Sequence, residues 1–157
     1  MEYRYKFRNT PGDFFLFNMS NIYSQWTAIV NVLFTAALII LTITRWGTSS
    51  DVLRAFMLIG VFLFPVIQPL VIYIRAMAQA KAITEETELS FDNSGMHIQV
   101  KDHKQLIKWS EYKTVIKRKA LLILIPDGSH AYILTNRILM DQKDYLYQFI
   151  VSKTSGK

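Results

Sequence analysis

Two long stretches without a charged residue decide the fold of this chain: WTAIVNVLFTAALIILTIT, from Trp26 to Thr44, and AFMLIGVFLFPVIQPLVIYI, from Ala55 to Ile74. As α-helices rising about 1.5 Å per residue, stretches of this length reach about 30 Å, the thickness of the hydrocarbon core of a bilayer. Buried helices of a soluble protein are the alternative, but these are usually shorter or carry a polar stripe. The sequence therefore predicts a transmembrane hairpin with spans of about 26–44 and 55–74.

The distribution of basic residues predicts how this hairpin is oriented. The segment 45–54 between the spans is short, whereas residues 1–8 contain three basic residues and 13 more follow from Arg75 onward. Because basic residues are enriched in cytoplasmic segments, we expect both termini in the cytoplasm and the turn at 47–50 outside. The net charge of +6 then suits an anionic membrane surface, and membrane lipid is an expected partner.

Four residues interrupt the apolar character of the spans. Asn31 and Gln68 would lie at similar depth in an antiparallel hairpin, where a mutual hydrogen bond worth about 1 kcal/mol would satisfy both amides. Pro65 and Pro69 each lack a backbone donor, so we expect a kink in the second span. These residues form either the packing contact of a bent hairpin or the wall of a binding groove. The sequence does not decide between the two.

After the second span the sequence changes to a strand period. Residues 83–157 contain alternating or wholly apolar segments separated by turn residues, a pattern typical of a small antiparallel sheet domain. The predicted strands are 89–91, 96–100, 105–109, 113–117, 120–125 and 131–135, with turns at 92–95, 102–104 and 126–129. The chain then changes to a helical period, with Asp141 as the N-cap. The predicted core-facing residues of this last helix are Tyr145, Leu146, Phe149 and Ile150.

The first ten residues are predicted to belong to the same domain. Aromatic and charged residues alternate from Glu2 to Arg8, which is typical of a half-buried strand. A lone strand is not stable in water, and this one lies on the same predicted side of the membrane as residues 83–157. We therefore expect residues 1–10 to join that sheet, so that residues 11–82 form an insertion. This insertion holds the hairpin and, over 13–25, a helix at the membrane interface.

Two short motifs lie in the predicted sheet domain. Residues 89–95 read LSFDNSG, and residues 107–115 read IKWSEYKTV. The second resembles the tryptophan, small polar, acidic and valine signature of the YcxB-like membrane proteins of Gram-positive bacteria. The resemblance covers essentially the whole chain and implies a pleckstrin-homology-like (PH-like) fold in a bacterial cytoplasmic membrane. Related bacterial proteins with such domains include immunity proteins that protect a producer against its own membrane-active bacteriocin.

No group of residues in the sequence indicates catalysis. The three histidines, His97, His103 and His130, are scattered without the spacing of metal ligands, and cysteine is absent. The sequence has neither a glycine-rich phosphate loop nor a serine elbow. We therefore expect a protein that is not an enzyme and that holds no metal and no cofactor.

A basic cluster is the most pointed surface feature of the predicted domain. Its members are Lys113, Lys117, Arg118 and Lys119, which either bind anionic lipid headgroups at about 1 kcal/mol per residue or form an ordinary solvated turn. Nucleic acid is not an expected partner, because Trp109 and Tyr112 lack a repeated stacking pattern.

The membrane hairpin, the resemblance and the basic cluster together leave two candidate functions. One is self-immunity against a membrane-active bacteriocin, an antimicrobial peptide. The other is a membrane-anchored adaptor whose PH-like domain binds anionic lipid or a protein partner.

Overall fold

The structure, a computed structural model, describes residues 3–23, 25–126 and 130–154. The chain is α+β, with two antiparallel sheets, a C-terminal helix and two long apolar helices that lie between the first and second strands. Glu2 and most of the predicted turn at 126–129 lie outside the described residues.

The helical part of the chain covers residues 11–82. Its elements are α1 (Pro11–Ile22), α2 (Gln25–Arg45), a 3-10 turn (Trp46–Thr48), α3 (Asp51–Phe62), a π-helical turn (Leu63–Ile67) and α4 (Gln68–Ala82). The helix predicted over 13–25 is present as α1, but it ends at Ile22, and Gln25 already begins α2. It starts two residues earlier than predicted, because Thr10 and Asp13 form a capping box and the φ angle of Pro11 suits the first helical position.

Both predicted spans are helical. By length and composition, α2 and the continuous helix from α3 through α4 could each cross a membrane. They pack antiparallel, with Phe34 of α2 against Phe64 and Leu38 against Gly60. Only 6% of the apolar window of the first helix and 11% of that of the second are buried within the protein. Core helices of soluble proteins are mostly buried, so these two present their apolar surfaces outward.

The first sheet has the order β1-β2-β3-β4 and is antiparallel throughout. Its strands are β1 (Tyr3–Phe7), β2 (Thr87–Phe91), β3 (Gly95–Val100) and β4 (His103–Lys108). β1 pairs with β2 along its whole length, from Tyr3 opposite Phe91 to Phe7 opposite Thr87. The N-terminal strand therefore joins the sheet as predicted, and the helical part is inserted between two neighbouring strands of that sheet.

The second sheet has the order β5-β6-β7, formed by β5 (Thr114–Lys117), β6 (Leu121–Ile125) and β7 (Tyr132–Thr135). The wholly apolar run of β6 is buried on both faces of the sheet, since residues 121–124 are at most 3% exposed. After β7 follow α5 (Asn136–Leu139), a 3-10 turn (Met140–Gln142) and α6 (Lys143–Thr154). Leu146 and Ile150 of α6 are fully buried against the core of the sheet domain.

Three local predictions were wrong, one in the first sheet and two at the last helix. The turn expected at 102–104 lies at residues 101 and 102, because antiparallel pairing continues up to Val100 opposite His103. β4 therefore begins at His103 rather than at residue 105.

At the last helix, Asp141 lies in the 3-10 turn and not at the N-cap, since α6 begins only at Lys143. Tyr145 is 67% exposed, because it lies about 100° around the helix from Leu146 on the solvent side. Tyr147 packs partly against the core instead.

Candidate functional site

An apolar groove of about 520 Å³ runs along α2. One wall is a single face of α2, because its residues recur every three or four positions: Ala28, Asn31, Val32, Thr35, Ala36 and Ile39. The facing wall comes from Met19 and Tyr23, near the end of α1, and from Phe64, Pro65 and Pro69. The groove thus collects three of the four intramembrane residues predicted from the sequence. Gln68 lies beside it and contacts both walls.

Pro69 leaves a backbone carbonyl without a helical donor in this wall. The N–H of Gln68 donates to the carbonyl of Leu63, five residues earlier, in the register of the π-helical turn. In that register the carbonyl of Phe64 would accept from residue 69, but proline has no N–H. At the two prolines the second helix is therefore interrupted by a π-helical turn, in which residue 69 has no N–H to bond the carbonyl of Phe64.

Tyr23 supplies the missing donor. Its hydroxyl lies 3.1 Å from the Phe64 carbonyl oxygen and 3.2 Å from Oε1 of Gln68. The predicted contact between Asn31 and Gln68 is also present, but it is long, with 3.5 Å between Nδ2 and Oε1. The sequence does not indicate that Tyr23 is this donor, because no spacing in the chain connects residue 23 with residue 64.

A buried carboxylate connects α1 to the sheet domain. Asp13 is 3% exposed, and its Oδ1 accepts from the Thr135 hydroxyl at 2.6 Å. Its Oδ2 accepts from Arg137 at 2.6 Å and from the Thr10 N–H at 2.8 Å. Burial disfavours the charged carboxylate, but the hydrogen bonds from Arg137, Thr10 and Thr135 outweigh it, so the pKa of Asp13 lies below its ordinary value.

An apolar contact completes this connection. Phe14, Ala76 and Ala80 form a buried cluster with Ile133 of β7, so α1 and α4 pack together against the second sheet. α1 is therefore fixed at its first turn by the Asp13 network, along its length by this cluster, and just past its last turn by Tyr23. The groove and the sheet domain share this helix.

The predicted basic cluster does not form a free patch. Lys117 lies 2.9 Å from Oδ1 of Asp144 on α6, with its Nζ 5.2 Å from the centre of the Tyr147 ring. This ion pair lowers the pKa of Asp144. The side chains of Arg118 and Lys119 are exposed in the β5–β6 turn, whereas Lys113 is exposed at the opposite end of β5, where its N–H donates to the carbonyl of Pro126 at 3.0 Å. Of the four predicted residues, one is therefore held by the C-terminal helix.

His97 lies close to a serine and a carboxylate in the turn between β2 and β3. Its Nε2 lies 2.8 Å from Oδ2 of Asp92 and 3.3 Å from the Ser94 hydroxyl. Since the same nitrogen faces both partners, the ring cannot pass a proton from serine to carboxylate as in a catalytic triad. Hydrogen bonds, first of all from Ser94, hold the pKa of Asp92 at about 2 and fix the turn before β3. Within residues 3–23, 25–126 and 130–154, no three His, Cys, Asp or Glu side chains form a group suited to a metal ion.

The two sequence motifs meet in space. Trp109, from the motif at 107–115, donates its Nε1–H to the carbonyl of Asp92, in the motif at 89–95, at 2.9 Å. No family model matches this sequence, and no curated protein is significantly similar to it. The resemblance to YcxB-like proteins therefore remains a proposal carried by these two motifs.

Proposed function

We propose that the chain is a non-enzymatic, two-pass protein of a bacterial cytoplasmic membrane that protects the cell against a membrane-active peptide. The groove along α2 receives this peptide as an inserted helix. The shape of the groove is the observation that supports binding of a helical peptide. The exposed apolar surface of the two long helices supports the membrane location.

The exposed surface supports membrane insertion. Trp26 is 79% exposed, Ile43 74% and Phe56 68%. Apolar area in contact with water costs about 25 cal/mol per Å², whereas lipid tails are as apolar as these side chains. A hairpin that covers itself so little is therefore suited to hydrocarbon and poorly suited to water.

The groove is suited to a helix. From Ala28 to Ile39 its α2 wall rises about 16 Å, three helical turns. Ala28, Thr35 and Ala36 are small, and small residues allow two helix backbones to approach closely in a membrane. An apolar groove of this kind can receive the apolar face of a helix.

The sheet topology supports the proposed placement of the termini. Because β1 and β2 are neighbours in one sheet, both ends of a spanning hairpin emerge on the same side of the membrane. The basic residues around them favour the cytoplasmic side. A four-stranded and a three-stranded antiparallel sheet followed by a C-terminal helix support the proposed PH-like fold and the YcxB-like family.

A second function, a membrane-anchored adaptor, is also supported by an observation. Its lipid-binding form loses support, since Lys117 pairs with Asp144. Its protein-binding form is favoured by β4, an edge strand that pairs only with β3 among the described strands.

The protective function is tested in a sensitive bacterial strain. Expression of the chain should raise the inhibitory concentration of a cognate bacteriocin. An Ala36→Phe substitution fills the groove and should abolish protection, whereas Ile40→Phe, on a part of α2 that is 63% exposed and does not line the groove, should not. Replacing Pro65 and Pro69 with alanine should also weaken protection. Unchanged sensitivity across a broad bacteriocin panel, with the protein in the membrane, would contradict the proposal.

The topology is tested with cysteines, which the natural chain lacks. Single cysteines at Ser49 and at Ser152 should differ towards an impermeant thiol reagent on intact cells, and only Ser49→Cys should be labelled. The opposite pattern would invert the orientation.

A further inference from the structure

β4 ends the four-stranded sheet, and its outer edge is a second candidate for binding. It is six residues long, and five of them are exposed. An edge strand of this kind offers unpaired backbone N–H and C=O groups to an extended chain.

The register shows which residues offer these groups. The N–H of Asp92 donates to the carbonyl of Gly95 at 3.1 Å, which fixes the alternation of bonded pairs between β2 and β3. In β3, residues 95, 97 and 99 therefore bond to β2, and residues 96, 98 and 100 bond to β4. Their partners in β4 are residues 107, 105 and 103, and the two-residue turn before His103 agrees with this pattern. The backbone groups of Lys104, Leu106 and Lys108 therefore point away from the sheet.

The side chains of these three residues share one face. Leu106 is 43% exposed, and it lies between two exposed lysines that have no ion-pair partner among the described residues. Arg4, on β1 at the other edge of the sheet, is paired with Glu88 at 3.1 Å. The edge thus presents a pattern of basic, apolar, basic at alternate positions.

We propose that this edge binds an extended segment of a protein partner in which an acidic, an apolar and an acidic residue alternate. Such a strand would complete the backbone hydrogen bonds of Lys104, Leu106 and Lys108 and place each carboxylate opposite a lysine. Lysines at a sheet edge also discourage aggregation, and the two roles agree, because the charge rejects neutral and basic strands while it favours acidic ones. This inference goes beyond protection by the groove and rests on the adaptor function.

The test measures fluorescence anisotropy of a short labelled peptide with the core Glu-Thr-Leu-Thr-Glu, added to the full chain in uncharged detergent micelles. The peptide should bind, and a peptide with lysines in place of the glutamates should not. Lys104→Glu combined with Lys108→Glu should weaken binding at least about ten-fold, from two cross-strand pairs that become repulsive. The control, Arg118→Glu with Lys119→Glu, changes the net charge equally and should leave binding within about two-fold.

A backbone variant tests the hydrogen bonds separately. Leu106→Pro removes an N–H that points away from β3, so the sheet should persist while the added strand loses a donor. Binding should fall with the circular dichroism spectrum unchanged. Absence of binding by the natural chain, equal binding of both peptides, or an equal loss in the control would overturn the proposal. Because Lys104 and Lys108 lie outside the groove, their variants should protect cells normally, so failure here is distinct from failure of the protective function.

Discussion

The sheet domain buries its apolar side chains, whereas the helical part exposes them. In the sheet domain Leu89, Phe91 and Met96 are fully buried, whereas in the helical part Ile43 and Phe56 are more than two-thirds exposed. Removal of apolar surface from water stabilises the sheet domain. It would not hold the two long helices together within a bilayer, because lipid tails are as apolar as the side chains of these helices. The hairpin is then held by few, specific contacts, and the sheet domain by its whole core.

The largest expected effect comes from the same substitution made in both halves. Phe91→Ala should destabilise the chain by about 3–5 kcal/mol, because it leaves a cavity among fully buried side chains. Phe56→Ala, at a position 68% exposed, should cost less than about 0.5 kcal/mol. Unfolding is followed in detergent by the fluorescence of Trp109 in a chain that carries Trp26→Phe and Trp46→Phe. Equal losses would mean that Phe56 is covered by protein rather than by detergent or lipid.

Glycines sharpen the contrast between the halves. A Cβ at Gly95 would lie 2.2 Å from the carbonyl oxygen of Ile107, a backbone atom fixed by the sheet. Gly95→Ala should therefore cost about 3 kcal/mol. A Cβ at Gly60 would meet Cδ1 of Leu38 at 2.8 Å, but this side-chain end can move.

Gly60→Ala should therefore change the stability little. Its steric cost is offset because alanine has a more favourable helix propensity than glycine, by roughly 1 kcal/mol. Gly47→Ala is the control, because a Cβ at Gly47 would meet no described atom within 4 Å. Thermal unfolding of the three variants should rank Gly95→Ala lowest by a wide margin. A larger loss at Gly60 than at Gly95 would contradict the comparison.

The joint between the halves should depend on pH. Asp13→Asn should destabilise the chain by about 2 kcal/mol at neutral pH, since it weakens charge-assisted hydrogen bonds to a buried group. Asp13 has a lowered pKa when folded, so its stabilising contribution is present above its unfolded value of 3.8 and is lost as the pH falls through the folded value. The difference between natural chain and variant should thus shrink as the pH falls below about 4.

This dependence is measured by chemical unfolding over a pH series. Asp144→Asn is the control, because that carboxyl also has a lowered pKa but is exposed, and its effect should be smaller at every pH. A constant difference for Asp13→Asn at all pH values would show that its charge contributes nothing.

Local patterns were sufficient for most of the fold. Alternation over residues 3–7 marked a strand, the run at 121–125 marked a buried one, and two long apolar stretches marked the helices. The two strand signals succeed because the pattern of apolar residues reports burial, whereas length and composition alone marked the two helices, which are largely exposed within the protein. The prediction that residues 1–10 join the sheet needed one further argument, the shared side of the membrane, and it did not name β2 as the neighbouring strand.

Contacts between distant residues were not predictable in the same way. The capping box of Thr10 and Asp13 is a local signal, but nothing in the sequence shows that Asp13 also meets Thr135 and Arg137, more than 120 residues away. Likewise, the proline pair predicted a kink, but not which side chain would satisfy the carbonyl of Phe64. One polar contact can be made by many partners, and only the packed structure selects among them.

The smallest expected effect compares two tyrosines, one from each half. Tyr23→Phe should destabilise the chain by about 0.6 kcal/mol, the average for a hydrogen bond between membrane helices, because it removes the hydroxyl that donates to the Phe64 carbonyl. Tyr112 is 4% exposed, and its hydroxyl has no hydrogen-bond partner among the described residues. Because a buried, unpaired hydroxyl is unfavourable, Tyr112→Phe should stabilise the chain by about 1 kcal/mol. Both are measured by detergent-induced unfolding in mixed micelles. Opposite signs are expected, and a loss at Tyr112 as large as that at Tyr23 would show that its hydroxyl is paired after all.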